Sequence, residues 1–505
     1  MKVLIANRGE IAVRVARACR EMGLRTVAVY SDADRGARHV RDADQAVHIG
    51  PSAASESYLR IDRLLDAARA SGADAVHPGY GFLAENPAFA RACRDAGLIF
   101  IGPSADAIES MGSKTRARAI ARRAGVPVVP GTDDPLDAAA SEGEIRAAAE
   151  RVGYPLLVKA VAGGGGKGMR AVDEGGGILD AVRVARSEAG SSFGNTAVYF
   201  ERRLQRPRHI EIQLLADHHG TILAFVEREC SIQRRHQKLV EESPSLAVTP
   251  ELRQRIASAA VKAARSAGYT NAGTIEFLLD EDGSFYFLEM NTRLQVEHPV
   301  TELVTRVDLV HWQLRLARGE RLSIDPDRAI TPHGHAIECR IIAEDPDQGF
   351  LPSPGLVRAL RAASGPGVRN DAGLVGGEVV PVFYDSLIAK LIAWAESRPD
   401  AIARMQRALR EYDVIGIKTT IPFFQWLMRE PDYIDGRFDT TYLDRVLADR
   451  RGAPFTTISE TEALHLTIAA GLDAWWRAHG GVAPDQAGPQ SAWTRVARLD
   501  ALRVR

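Results

Sequence analysis

The chain has 505 residues, with 64 basic against 65 acidic side chains and a formal net charge of -1; 45% of residues are hydrophobic and 26% charged. That length leaves room for roughly three or four domains of ordinary soluble composition, and the balanced charge excludes a global field for nucleic acid or a membrane surface. The four cysteines, Cys19, Cys93, Cys230 and Cys339, are far apart and form no CxxC pair, so neither a disulfide framework nor a zinc site is expected, and a reducing cytoplasm fits.

The opening MKVLIANRGE is already a strand and a turn, so no signal peptide is expected, and no run of 18 apolar residues predicts a membrane span. Residues 2–6 predict a buried strand. The turn at Asn7-Arg8-Gly9 leads into a helical pattern ending at Gly23, and TVAVY predicts a second strand. This β-α-β opening implies a parallel sheet. It continues through ADAVHPG and LIFIGP, so 1–113 reads as one doubly wound domain. A helix is expected from Lys114 to Gly125. Residues 131–204 read as a small inserted module with an acidic, alanine-rich helix, the strand LLVKA, a glycine loop and the strand AVYFE. Residues 205–330 carry the strands HIEIQLLA and ILAFVERE, a basic segment and a hairpin. HGHAIECRIIAED opens a third region, to about 447, which includes the helix AIARMQRALREY. The remainder, 448–505, contains a helix around ETEALHLTIAAGLDAWWRAHG and then a Gly/Pro/Gln linker.

The hairpin, TIEFLLDEDGSFYFLEMNTRLQVEHP (274–299), is the most informative segment. Asp282-Gly283 is a two-residue turn signal between apolar runs. With that loop, paired positions sum to 565, which sets Glu276 opposite Glu289, with Asn291 two residues on and on the same face. Cross-strand Cβ atoms lie about 5 Å apart, and like charges there destabilise the pair. Two carboxylates held so close call for a cation, and hard oxygen ligands suit Mg²⁺ or Mn²⁺. The alternative is a solvated acidic face. Arg293, Gln295, Glu297 and His298 add polar chemistry to the same strand end.

Residues 163–168, GGGGKG, follow LLVKA. Glycine backbone can approach a phosphate closely, and successive N–H groups can converge on an anion. Gly168 stands where a Walker A loop needs Ser or Thr, so a mobile phosphate lid beside Lys159 and Lys167 is weighed against a flexible linker. Lys114 at a helix start can help hold an anion, or be a surface lysine. Arg234, Arg235, His236 and Lys238 form a basic run that is either a solvated face or, with Gln233, a contact for a nucleotide or anionic substrate. His333 with His335 makes a poor metal pair, and His218-His219 reads as a turn. Arg340 lies in an apolar strand, where a buried guanidinium needs an anion or a structural partner such as Glu338 or Glu344.

Ten segments, in order, resemble biotin carboxylase, an ATP-grasp enzyme: IANRGEIA (5–12), HPGYGFLAEN (77–86), MGSKTRAR (111–118), KAVAGGGGKGMR (159–170), RPRHIEIQ (206–213), CSIQRRHQK (230–238), EFLLD to FLEMNTRLQVEHPVTE (276–302), ECRIIAEDP (338–346), FYDSLIAKLI (383–392) and GIKT (416–419). The resemblance covers about 1–447. It implies a fold of mixed α/β and α+β class: a doubly wound pre-ATP-grasp domain (1–113), an ATP-grasp domain (114–330, lid about 131–204) and a biotin carboxylase C-terminal α+β domain (331–447). It implies that Lys114 and Lys159 hold ATP phosphates under a lid containing Gly164, Gly165 and Gly166. Glu201 and Leu204 would frame the adenine, with His209, Gln233 and His236 as further nucleotide contacts. Glu276 and Glu289, assisted by Asn291, would hold two Mg²⁺ or Mn²⁺ ions. Lys238, Arg293, Gln295 and the Val296 backbone would bind bicarbonate, Glu297 would be the general base, and Arg340 would bind biotin and stabilise its enolate. Arg202-Arg203 stands where the family usually has Lys then an aromatic residue, and Ile342 where it has Asn.

The chain contains no AMKM segment, the family's biotinylation mark. The resemblance therefore implies biotin on a separate carboxyl carrier protein, a separate carboxyltransferase that passes the carboxyl group to an acyl-CoA or keto acid, and a homodimer. The segment 448–505, with Trp475, Trp476 and Trp493, lies outside the resemblance and is expected either as an interface or as a helix packed on the preceding domain.

Overall fold

The computed structural model describes residues 1–132, 134–137, 139–161, 168–456 and 459–479. They fall into two units, Met1–Ala453 and Pro454–Arg505. The first begins with the expected parallel sheet, plus a strand the sequence reading did not name, β3: β1 (Lys2–Ile5), β2 (Arg25–Ser31), β3 (Gln45–Gly50), β4 (Ala75–His77) and β5 (Ile99–Phe100), in the order β3-β2-β1-β4-β5. Val3, Leu4, Ile5, Val27 and Val29 are fully buried, as unbroken apolar runs in a sheet covered on both faces should be. Helix α1 (Gly9–Glu21) joins β1 to β2. The loop after β4 carries HPGYGFLAEN away from the carboxyl end of its strand, where open α/β sheets place ligands.

The module at 131–204 is a three-stranded antiparallel sheet, β7-β6-β8, of β6 (Leu156–Ala160), β7 (Met169–Val172) and β8 (Val198–Arg202). Glu142–Val152 forms the expected helix, started by a Ser141–Glu144 capping box. A second helix, Ile178–Phe193, was not anticipated; its alanine, serine and glycine content blurred the helical period. Both pack on the sheet over a core of Ile145, Leu156, Val158, Val182 and Phe200. Residues 162–167, including Gly164, Gly165 and Gly166, lie outside the described residues.

The centre of the molecule is a nine-stranded sheet. It contains β9 (Arg208–Ala216), β10 (Ile222–Ala224), β11 (Arg228–Arg234), β12 (Gln237–Ser243), β13 (Asn271–Leu279), β14 (Phe285–Asn291) and β15 (His335–Ile342), followed by the strands Leu387–Ala395 and Val368–Ala372. ILAFVERE is therefore not one strand: β10 pairs only with β9, and β11 begins after a gap of three residues. The basic run is the β11–β12 hairpin, whose two loop residues, Arg235 and His236, both have positive φ, at 50° and 65°. Two-residue hairpin loops favour that geometry because it matches strand twist. The helices Lys114–Arg123 and Pro250–Ser266 share one core with β9, β13 and β14. Among the described residues no helix is long and apolar enough to cross a membrane, and all four cysteines are free and buried.

A helix, Tyr442–Arg450, runs across residue 447, and the second unit starts at Pro454. In that unit the helix Glu460–His479 exposes Leu464, Leu466, Ile468, Leu472, Trp475 and Trp476. Trp493 lies outside the described residues.

Candidate functional site

The hairpin register sets the site. Glu276 does stand opposite Glu289, and Thr274 opposite Asn291. The loop is longer than the sequence suggested. The strands end at Leu279 and Phe285, and the turn closes with Asp280 N–H and Ser284 C=O at 2.8 Å. Near that turn the pairs are one residue off, as in Phe277 with Phe287, and a bulge at Leu288 restores the expected register at the glutamates.

On its other side Glu276 pairs with Glu211 of β9, which in turn pairs with Arg228 of β11. Three carboxylates thus stand in one cross-strand row, a strongly destabilising arrangement unless cations intervene. The Lys238 ammonium donates to Glu211 at 2.7 Å, Glu276 at 2.9 Å and Glu297 at 2.7 Å. The fully buried Arg228 also pairs with Glu211. Glu276 accepts from Asn291 at 2.9 Å and Gln295 at 3.0 Å, and His209 Nε2 lies 2.8 Å from its second oxygen. Burial alone would raise the Glu276 carboxyl, but Lys238 and His209 hold it well below the usual carboxylate range.

Glu289 is treated differently. It has no hydrogen-bond partner among the described residues; burial and then repulsion from Glu276 raise its carboxyl, against the pull of Lys114 and His209. Two opposed carboxylates with a neighbouring Asn oxygen, one lacking compensation, are a hard-oxygen set that fits a divalent cation. His209, Glu211 and Glu276 also bring ligand atoms within 4.8 Å of one another.

Glu297 starts the helix His298–Thr305 and is completely buried. Its second oxygen accepts from Arg340 at 3.0 Å. Burial pushes the Glu297 carboxyl up, but Lys238 and then Arg340 hold it ionised, well below its ordinary range. The partners expected for Arg340 were wrong. Its Nε donates to Glu241 at 2.7 Å; Glu344 pairs instead with Arg234, and neither Glu338 oxygen has a hydrogen bond. Arg293 is clamped by Glu85 at 2.8 Å, Gln295 at 2.7 Å and Asn291 at 2.9 Å. Glu85 arrives on the loop after β4, so the first sheet contributes to the site.

Of these groups, Lys238, Glu276, Glu289, Asn291, Arg293, Gln295, Glu297 and Arg340 line one cleft of about 930 Å³, which is also lined by Lys114, Lys159, Glu201, Leu204, His209, Gln233, His236 and Val296. Burial lowers the Lys114 ammonium, against the pull of Glu289. Lys159 pairs with Glu201, which also holds Arg118. The candidate residues within the described parts therefore converge. The sequence reading missed Glu211, Glu241, Glu85 and Arg118, although a glutamate two residues after His209 in the apolar strand HIEIQLLA was a signal that one face of β9 is not core.

Comparison with known proteins comes to the same place. The family described as "Biotin carboxylase, N-terminal domain" matches residues 1–108, "Carbamoyl-phosphate synthase L chain, ATP binding domain" 113–325, and "Biotin carboxylase C-terminal domain" 338–445. The chain is 51% identical to the biotin carboxylase of Nostoc sp., covering 88% of this chain and 99% of that one. It is 49% identical to biotin carboxylase 1 of Bacillus subtilis, over 88% and 98% of the two chains. A solved structure of the Hydrogenobacter thermophilus 2-oxoglutarate carboxylase biotin carboxylase domain dimer, with MgADP, ADP and bicarbonate, superimposes with a TM-score of 0.85 at 46% identity, covering 91% of this chain and 99% of that one.

Proposed function

Because this chain belongs to the biotin carboxylase family, we propose that its cleft activates bicarbonate with ATP and transfers the carboxyl group to biotin, with Glu297 as the base. The observation that carries this reading is the Lys238 ammonium, which ties a metal-type carboxylate, Glu276, to the buried Glu297, whose other oxygen is held by Arg340. A base, an anion site and a cation site are thereby held within one hydrogen-bonded group.

Bicarbonate is a poor electrophile. It binds among Lys238, Arg293, Gln295 and the Val296 backbone, and Glu297 removes its proton. With Lys238 and Arg340 both engaged on it, Glu297 is a weak base; bicarbonate draws Lys238 onto itself and restores basicity. The bicarbonate oxygen then attacks the γ-phosphate of ATP in line, giving carboxyphosphate and ADP. Glu276, Glu289 and Asn291 would hold Mg²⁺, which supplies charge neutralisation at the phosphates when bound. Lys114 and Lys159 add positive charge on the nucleotide side. Glu201, Leu204, His209, Gln233 and His236 contact the rest of the nucleotide. Carboxyphosphate breaks down to CO₂ and phosphate, the phosphate takes the ureido proton, and Arg340 pairs with the oxyanion developing on biotin as its nitrogen attacks CO₂.

The chain divides on this reading into 1–113, 114–330 and 331–447. Biotin arrives on a separate carboxyl carrier protein, a separate carboxyltransferase takes the product on to its acceptor, two copies of the chain associate, and the setting is a reducing cytoplasm. The test is ADP release from ATP, Mg²⁺ and bicarbonate with and without biotin. Stimulation by biotin that disappears without bicarbonate is expected. Stimulation by ammonia in place of biotin would assign a different ligase.

A further inference from the structure

Beneath the cleft, one face of the sheet carries a row of charged side chains of which the proposed reaction uses only Arg340. On β15 and its neighbours, Arg340 pairs with Lys390, and Lys390 with Asp371. One step along, Glu241 pairs with Glu338, Glu338 with Ile392, and Ile392 with Arg369. Cross-strand partners share a face, so these groups lie together under α1 and the helix His298–Thr305.

Lys390 is the unusual member. Its side chain is completely buried. A buried ammonium without close compensation is costly, and such groups normally sit on a carboxylate. Here the nearest carboxylate, Glu10, is 3.5 Å away, and neither Glu10 oxygen has a hydrogen bond. The short, directed bond goes to a backbone oxygen, Val296 C=O, at 2.7 Å. The ring of Tyr80 lies 5.7 Å from the ammonium. ANRGE, HPGYG and DSLIAK therefore meet at one point behind the turn that carries Gln295, Val296 and Glu297.

That carbonyl belongs to the peptide joining Val296 to Glu297. Fixing its direction fixes the rotation about the Val296 Cα–C bond on one side and the departure of the Glu297 side chain on the other. His298 secures the preceding peptide, with Nδ1 2.8 Å from Gln295 C=O. The turn is thus held from behind at two successive carbonyls, while its front faces the cleft.

We propose that Lys390 is a positioning residue for bicarbonate, its ammonium pinning the Val296 carbonyl so that the Val296 N–H and the Glu297 carboxylate point at the same substrate. This rests on the function proposed above. It predicts an effect concentrated on bicarbonate, because the turn reaches the nucleotide side only indirectly, through Gln295 and Lys238 to Glu276.

The test is steady-state kinetics of Lys390→Met, which keeps the length of the side chain and removes the donor, beside wild type. A Glu10→Gln/Lys390→Met double variant also removes the charge of the carboxylate nearest the ammonium and covers the case in which the single variant does not fold. The expected result is a rise in KM for bicarbonate of about tenfold or more, with KM for ATP within about twofold in the same variant. Bicarbonate KM unchanged, or both KM values raised together, would overturn the proposal. So would failure of both variants to fold, since Lys390 would then serve the fold rather than the turn. If wild type itself showed no biotin-stimulated, bicarbonate-dependent ADP release, the functional reading would be the one to fall.

Discussion

Glu241 and Glu242 are neighbours on β12, and they show what separates a structural ion cluster from a working one. Adjacent strand residues point to opposite faces. Glu242 points under the helix Arg398–Glu411, where Arg398 donates at 2.7 Å and His335 lies at 2.7 Å. There one carboxylate meets two basic groups, and the cluster is closed. Glu241 points to the cleft side, where it shares Arg340 with Glu297, while Lys238 is shared among Glu297 and two further carboxylates, Glu211 and Glu276. On that face Lys238 and Arg340 are each divided among several carboxylates, and Glu289 has no hydrogen bond among the described residues. A closed cluster has nothing left to offer a ligand. An open one binds whatever completes it, here a divalent cation at Glu289 and an anion beside Lys238 and Arg293.

The largest effect should come from the open face. Glu297→Gln keeps the size of the side chain and removes the base, so biotin-dependent ADP release should fall by roughly 10²- to 10⁴-fold. Nucleotide affinity, measured by calorimetry, should stay within about twofold. A collapse of ATP binding would mean that Glu297 organises the whole cleft rather than the bicarbonate step.

The closed face should show the reverse. Glu242→Gln leaves Arg398 buried beside an uncharged partner, and breaking such a pair costs roughly 3–5 kcal/mol. The thermal midpoint should drop by several degrees, while kcat of the folded enzyme stays near wild type. Equal loss of activity and stability would erase the distinction between the two faces.

The incompleteness of the open face can also be measured without catalysis. MgATP binds the folded state, so it should raise the thermal midpoint, by the equivalent of about 2.7 kcal/mol at a hundredfold excess over Kd. Glu289→Gln should lose most of the Mg²⁺-dependent part of that gain. An unaltered gain would move the metal to the His209, Glu211 and Glu276 group.

These contrasts also explain what was legible in the sequence. The Glu276–Glu289 pairing could be read because a hairpin is local, and it survived a wrong loop length only because the bulge at Leu288 cancels the error. The parallel order of the first sheet followed from its βαβ rhythm. Partners on non-adjacent segments could not be read. Arg340 finds Glu241 across 99 residues, and Arg293 finds Glu85 across 208. Both depend on how the sheets are set side by side, whereas the guesses Glu338 and Glu344 came from sequence proximity alone. Lys390 was invisible for another reason: its partner is a backbone carbonyl, which has no residue signature.

The smallest expected effect is the most specific test of the two faces, because the neighbours should give pH dependences of opposite sign. Burial would raise the Glu242 carboxyl, but Arg398 and His335 hold it down at about 2. Its contribution to stability is present above the unfolded value near 4.5 and is lost as the pH falls from there through about 2. Burial raises Glu241 to about 7 despite Arg340. Its contribution is full below about 4.5 and is lost as the pH rises through about 7. Glu241→Gln cannot ionise and escapes that loss, so its thermal midpoint relative to wild type should rise between about pH 5 and pH 8. Glu242→Gln should instead show its deficit above about pH 5 and converge on wild type as the pH falls toward about 3. A Glu241→Gln deficit that grows with pH would show that Arg340 satisfies Glu241 fully, and that the cleft face is as closed as the one behind it.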